Sequence, residues 1–194
     1  MSQPVILLAS TSRYRRALLQ RLLVDFGCAA PDIDETARSD EAPAALAQRL
    51  AELKAESCAS RNPGGITIGS DQVAALEDRI LGKPGDFDTA LAQLLASSGR
   101  VVEFHTAVCV LGPGDRHAAR HIDLTRVHFR RFDRAEAERY LQREPAFDCA
   151  GSFKSEGFGV TLMQRIENQD PTALQGLPLI WLAGCLRDRG IALP

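Results

Sequence analysis

The chain lacks any apolar run long enough to cross a bilayer. Its early apolar stretch, Val5 to Ala9, is interrupted at once by Arg13, Arg15 and Arg16, whereas a membrane span needs about 20 residues. No signal peptide is visible, so a cytoplasmic protein with no membrane partner is expected. Cysteine is sparse and unpatterned. The five residues Cys28, Cys58, Cys109, Cys149 and Cys185 form no CxxC pair and have no histidine at zinc spacing, which excludes a disulfide framework or zinc module and fits reduced core thiols. Excess charge is also missing. With a net charge of -2 there is no broad basic surface to displace counterions, so a nucleic acid polymer is not an expected partner.

Several familiar motifs are incomplete. Gly82-Lys83 is not a P-loop, because Glu77 stands where the first glycine belongs and Pro84 replaces the hydroxyl that holds magnesium. Gly157-Phe-Gly159 lacks the third glycine of a dinucleotide fingerprint. His117 and His121 have the spacing of a helical metal pair but fall in a strand-like region.

What remains is an ordinary globular composition, 45% hydrophobic and 25% charged over 194 residues, long enough for one domain or one domain with two lobes. Val5 to Ala9 reads as a buried strand, Ser10 to Arg13 as a polar turn, and Tyr14 to Leu23 as a helix with a Leu18, Leu19, Leu22, Leu23 stripe. Pro43 opens a helix to about Ser60, and Ile66 to Ile68 is a second buried strand ending in Gly69-Ser70-Asp71-Gln72. Glu77-Asp78 makes a hairpin turn returning through Ile80-Leu81. A helix over Asp88 to Ala96 leads to strands at Val101 to Leu111 and Ala119 to Phe132, joined by a turn at Gly112-Pro-Gly-Asp115. Asp133 with Glu136 caps a helix to Arg143, Val160 to Ile166 alternates weakly, and Pro178 to Arg189 is a last helix ended by Gly190. Alternating strands and helices with long hairpin strands predict an α/β fold with a mixed sheet.

Three polar clusters sit at the ends of apolar runs, where α/β folds place their sites: Ser10 to Arg16, Ser70 to Gln72 with Gly82-Lys83, and Gly151 to Gly157. The first follows a strand and opens a helix, an arrangement suited to an anion. Together they offer cations for phosphates, a carboxylate to hold metal or activate water, and side chains for a base pocket.

In order along the chain, Leu7-Leu-Ala-Ser-Thr-Ser12 with Arg15-Arg16, Asp34-Glu-Thr36, Arg49-Leu-Ala51 with Lys54-Ala55, Gly69-Ser-Asp-Gln72, Leu81-Gly-Lys-Pro84 and Gly176-Leu-Pro-Leu179 resemble the signature of the Maf family. The resemblance covers nearly the whole chain. It implies an elongated α/β structure with a deep cleft, similar to inosine triphosphate pyrophosphatases, and a metal-dependent enzyme that splits nucleoside triphosphates into a monophosphate and pyrophosphate. Carried onto this sequence, it implies Ser10, Arg15, Lys54 and Lys83 on the phosphates, Glu35 and Asp71 on a divalent cation (Mg2+ or Mn2+), and Asp71 as general base. Homodimers also occur in the family. Tyr14, Gln72 and Glu156 would set substrate specificity. Ser152-Phe-Lys-Ser-Glu-Gly157 and an aromatic residue at position 14 resemble the subgroup acting on 7-methyl-GTP, which usually has tryptophan for Tyr14 and proline for Arg13. Members acting on dTTP and UTP typically have arginine and glutamine at the positions of Tyr14 and Glu156. The physics agrees: a cationic methylated guanine is attracted to an aromatic face by about 0.5–2 kcal/mol, and a carboxylate at Glu156 can accept from guanine N1–H and its exocyclic amine. The competing expectations are a pyrophosphatase of the same family acting on dTTP, UTP or other modified nucleotides, and a regulator of cell division that binds nucleotides without needing to hydrolyse them.

Overall fold

A computed structural model describes residues 4–113 and 118–194. Its elements are β1 (Ile6–Leu8), α1 (Arg13–Leu19), β2 (Gly27–Cys28), α2 (Pro43–Ala59), β3 (Ile66–Leu76), β4 (Arg79–Leu81), α3 (Phe87–Ser97), β5 (Val101–Leu111), β6 (Ala119–Phe129), α4 (Arg134–Arg143), β7 (Met163–Glu167) and α5 (Leu179–Arg187). The strands form one mixed sheet in the order β2-β1-β3-β5-β6-β7, with β4 paired to β3. The β1 contacts to β2 and β3 are parallel, and the remaining pairings are antiparallel. The mixed α/β sheet expected from the pattern is therefore present.

β3 is the organising element. Buried along nearly its whole length, it sends successive side chains to opposite faces of the sheet. On one face Val73 joins a cluster with Leu46, Ala47, Leu50, Ala51 and Ala55 of α2. On the other face Ile66 and Ile68 pack with α1 and α5, whereas Ala74 and Leu76 pack with α3, α4 and Phe153. Between these two apolar clusters that face carries Ser70 and Gln72 instead. The seam between the clusters is thus polar. Gly69 lets α2 lie directly on the strand, since a Cβ there would meet the Ala51 carbonyl and stand 2.5 Å from Ala55 N.

Local chemistry explains the helix boundaries. Ser12 caps α1 by accepting from Arg15 N, Asp86 caps α3 through Thr89 N, and Asp133 with Glu136 forms a reciprocal capping box on α4. Three readings need correction. β3 does not end in Gly69 to Gln72 but runs to Leu76, because Gly69 fits under α2 and the strand remains paired to β5 through Ala75. α1 ends at Leu19, and tight turns at Arg21, Leu22 and Leu23 bring the last two leucines to the core. The strand expected to reach Phe132 ends at Phe129, where a register irregularity against β7 begins. The two-residue strand β2 has no apolar run to announce it in the sequence. Gly114 and Asp115 of the expected Gly112 to Asp115 turn, and His117, lie outside the described residues. His121 stacks on Trp181 with ring centroids 5.2 Å apart, an aromatic packing role.

Candidate functional site

The seam opens into a cavity of about 830 Å3. Residues from the loop after β1, from α1, α2, β3, β4 and β5, and from the segment after α4, line it. Its floor is fixed by the stretch before α5, whose carbonyls face the polar residues of β3. Ser70 Oγ, fully buried, lies 2.8 Å from Ala107 O and 3.0 Å from Gly176 O. Gln72 Nε2 lies 2.9–3.0 Å from Thr106 Oγ1, Ala173 O and Leu174 O. With the amide nitrogen turned to those acceptors, Gln72 Oε1 is left as the group to accept from a ligand. Asp170 holds this stretch in place, accepting from Thr172 N and Oγ1 with one oxygen and from Ile180 N with the other.

A charged cluster stands on the α2 side of β3. Lys54 is 5% exposed and Asp71 is 7% exposed. Lys54 Nζ donates to Asp71 Oδ1 at 2.5 Å and to Glu35 Oε1 at 2.9 Å. Arg15 approaches from α1, its Nη2 4.0 Å from Asp71 Oδ1 and its Nε donating to Gly176 O at 2.9 Å. Burial pulls the Arg15 guanidinium below its ordinary pKa, opposed by Asp71 and Glu35. Burial pushes the Glu35 carboxyl up, but Lys54, Lys83 and Arg15 outweigh it and hold the group below the usual range. Each carboxylate uses one oxygen on Lys54. Asp71 Oδ2 and Glu35 Oε2 have no hydrogen-bond partner among the described residues.

A second group comes from the first turn of α1 and residues 148–156. Tyr14 OH lies 3.1 Å from Asp148 Oδ2, and Arg13 Nη2 donates to both the phenol, at 2.8 Å, and Asp148 Oδ2, at 3.0 Å. Burial raises the Tyr14 pKa, so the phenol remains neutral. Cys149 lies beside it, and burial pushes its thiol up to about 11. That excludes a resting thiolate nucleophile at neutral pH. Gly151 and Ser152 both adopt positive φ, and Ser152 Oγ anchors the turn on Gln93 Oε1 at 2.6 Å. The turn sends Phe153 into the core and leaves Glu156 exposed on the cavity wall, its Oε2 accepting from Ser155 Oγ.

Every residue singled out from the sequence lines this one cavity: Ser10, Tyr14, Arg15, Glu35, Lys54, Asp71, Gln72, Lys83 and Glu156. Arg49, part of the same motif as Lys54, instead pairs with Glu41 at 2.7 Å and braces the segment carrying Glu35 through Thr36 O. Sequence reading missed Asp148, which carries no local motif and meets Tyr14 only through the fold. Among the described residues there is no group of three His, Cys, Asp or Glu side chains able to hold a metal. The oxygen set of Glu35 and Asp71 fits a hard divalent cation only if phosphate oxygens and water complete the shell, the usual arrangement for magnesium.

A family model described as Maf-like protein matches residues 5–189. A protein of Xanthomonas oryzae pv. oryzae named 7-methyl-GTP pyrophosphatase is 56% identical over 98% of this chain and 100% of its own length. A protein of the same name from Xanthomonas axonopodis pv. citri is 53% identical over 98% of this chain and 100% of its own. Among solved structures, a HAM1 protein from Coxiella burnetii superposes with a TM-score of 0.56 at 18% identity, covering 96% of this chain and 100% of that one. That last likeness bears on the fold alone. No helix among the described residues is long and apolar enough to cross a membrane.

Proposed function

The chain belongs to the Maf-like family, and we propose from that premise that it hydrolyses 7-methyl-GTP to 7-methyl-GMP and pyrophosphate. The observation that carries the proposal is the joining, in one cavity, of a cation and carboxylate cluster (Arg15, Lys54, Lys83, Glu35, Asp71) with an aromatic and acidic wall (Tyr14, Glu156). The first set suits a polyanion in hydrolysis, the second a cationic base.

In this mechanism Ser10, Arg15, Lys54 and Lys83 bind the phosphates. Asp71 Oδ2 takes the proton of the attacking water, while Lys54 fixes the other oxygen of the same carboxylate. Glu35 and Asp71 would hold a divalent cation, magnesium or manganese, or its coordinated water, and that cation would supply Lewis acidity and a more acidic water. The base stacks on Tyr14, and Glu156 and Gln72 Oε1 accept from its polar edge. A site acceptor such as Gln72 Oε1 left unpaired by the wrong base would cost about 1–3 kcal/mol, enough to discriminate. The cysteines, none of them in a disulfide, fit a reducing compartment, so the cytoplasm is the proposed location.

The test is pyrophosphate release from 7-methyl-GTP, GTP, dTTP and UTP with magnesium or manganese, alongside Asp71→Asn. The expected result is preference for 7-methyl-GTP, abolished in a variant that still folds. Preference for dTTP or UTP would refute the roles given to Tyr14 and Glu156. Full turnover by Asp71→Asn would refute the base.

A further inference from the structure

The Arg13–Asp148 pair has no part in the roles above, yet both residues line the same cavity as the Tyr14 ring. The Arg13 guanidinium carbon lies over that ring, 4.9 Å from its centroid, and Nη2 bonds both the phenol and Asp148. The ring proposed to receive a positively charged base therefore already faces one positive charge. A second cation stacked nearby would be repelled by it, and the ring quadrupole it needs is already shared. Asp148 sits where it removes that conflict. Its carboxylate is 3.0 Å from the guanidinium and 3.1 Å from the phenol, and spans from residue 148 to the first turn of α1. Partial burial pushes the carboxyl pKa up, but hydrogen bonds with Tyr14 and Cys149 and the charges of Lys154 and Arg13 outweigh it and hold the group below the usual carboxylate range.

We propose that Asp148 is a further specificity residue: by cancelling the charge of Arg13 beside the Tyr14 ring, it allows the base subsite to accept a cationic base such as N7-methylguanine. The inference rests on the substrate reading above. Its signature is a charge effect confined to the base, distinct from a mere tether holding Tyr14 in position. The base is remote from the bond that breaks, so the effect falls on KM and leaves kcat nearly unchanged.

The experiment compares wild type, Asp148→Asn, Arg13→Gln and the double variant, measuring kcat and KM for 7-methyl-GTP and GTP. A unit charge several ångströms away in a solvated cleft changes the methylated-to-unmethylated ratio of kcat/KM by about three- to tenfold. Asp148→Asn is expected to lower the ratio by that factor and Arg13→Gln to raise it, with the double variant returning to within about twofold of wild type. Titration calorimetry with 7-methyl-GMP and GMP reads the same ratio without turnover. A ratio unchanged in Asp148→Asn, the same direction of change in both single variants, or no binding of either monophosphate overturns the proposal. Wild-type preference for UTP or dTTP overturns the substrate reading instead, while the calorimetric ratio still decides the charge cancellation.

Discussion

Replacing Gly69 by alanine tests the contact that places the charged cluster. The new Cβ would collide with the Ala51 carbonyl and lie 2.5 Å from Ala55 N and 2.9 Å from Ala55 Cβ. The first two are backbone atoms of a helix, so no side-chain rotation relieves the clash. Restoring normal contact requires α2 to move from β3 by roughly 1 Å. Lys54 rides on α2 and Asp71 on β3, so the same displacement opens their 2.5 Å contact. Overpacking of this kind costs about 1–3 kcal/mol, and loosening a buried ion pair adds to it, for a total of about 2–4 kcal/mol. In a chain of this size each kcal/mol lowers the melting temperature by about 2–4 °C. Turnover should fall about a hundredfold, the usual consequence of a 1 Å error in a catalytic constellation. Urea unfolding followed by circular dichroism measures the first effect, as a lower midpoint at unchanged slope, and pyrophosphate release measures the second. Gly82→Ala is the control, because it lies in the same cavity and its Cβ would meet nothing within 4 Å. If Gly69→Ala matched Gly82→Ala to within about 0.5 kcal/mol, the close approach of α2 to β3 would be refuted.

Two more predictions concern groups beneath the cavity. Thr106 is fully buried, its hydroxyl 2.9 Å from both Gln72 Nε2 and Ala173 O. Thr106→Val keeps the shape and leaves the Gln72 amide two acceptors, Ala173 O and Leu174 O, but removes the hydroxyl that orients it, and should cost about 0.5–1.5 kcal/mol while raising KM more than it lowers kcat. An unchanged KM in the folded variant would detach Gln72 from base recognition. Burial, then the neighbouring Asp170, raise the Asp123 pKa. For an acid whose folded pKa exceeds its unfolded value, stability is lost as pH rises from the unfolded pKa, near 3.8, through the folded one. Asp123→Asn should therefore be more stable than wild type at pH 8, with the advantage shrinking toward pH 4. Melting curves across that range check the sign, and an advantage that grew on acidification would contradict it.

Most of the elements were legible because their signals are local. The capping box at Asp133 and Glu136, Pro43 at the start of α2 and the apolar runs of β5 and β6 each announce themselves within a few residues. β3 was read too short for a physical reason. Its even-numbered side chains pass from Ile66 and Ile68 through Ser70 and Gln72 to Ala74 and Leu76, and a polar pair inside an apolar strand looks like the strand's end. It is the place where one apolar cluster gives way to the next and the cleft opens. Two adjacent same-face polar residues flanked by apolar ones on a long strand are thus a sequence signature of a cleft floor. The site residues were reachable through the ordered motifs of the family, which the cavity brings together. Asp148 was not reachable that way. It stands 134 positions from Tyr14, and meets the first turn of α1 just before the left-handed turn at Gly151 and Ser152, which is tied to Gln93. A contact across such a distance belongs to the closed fold, so the role proposed for Asp148 beside Tyr14 follows from the structure and not from positions 14 and 156 alone.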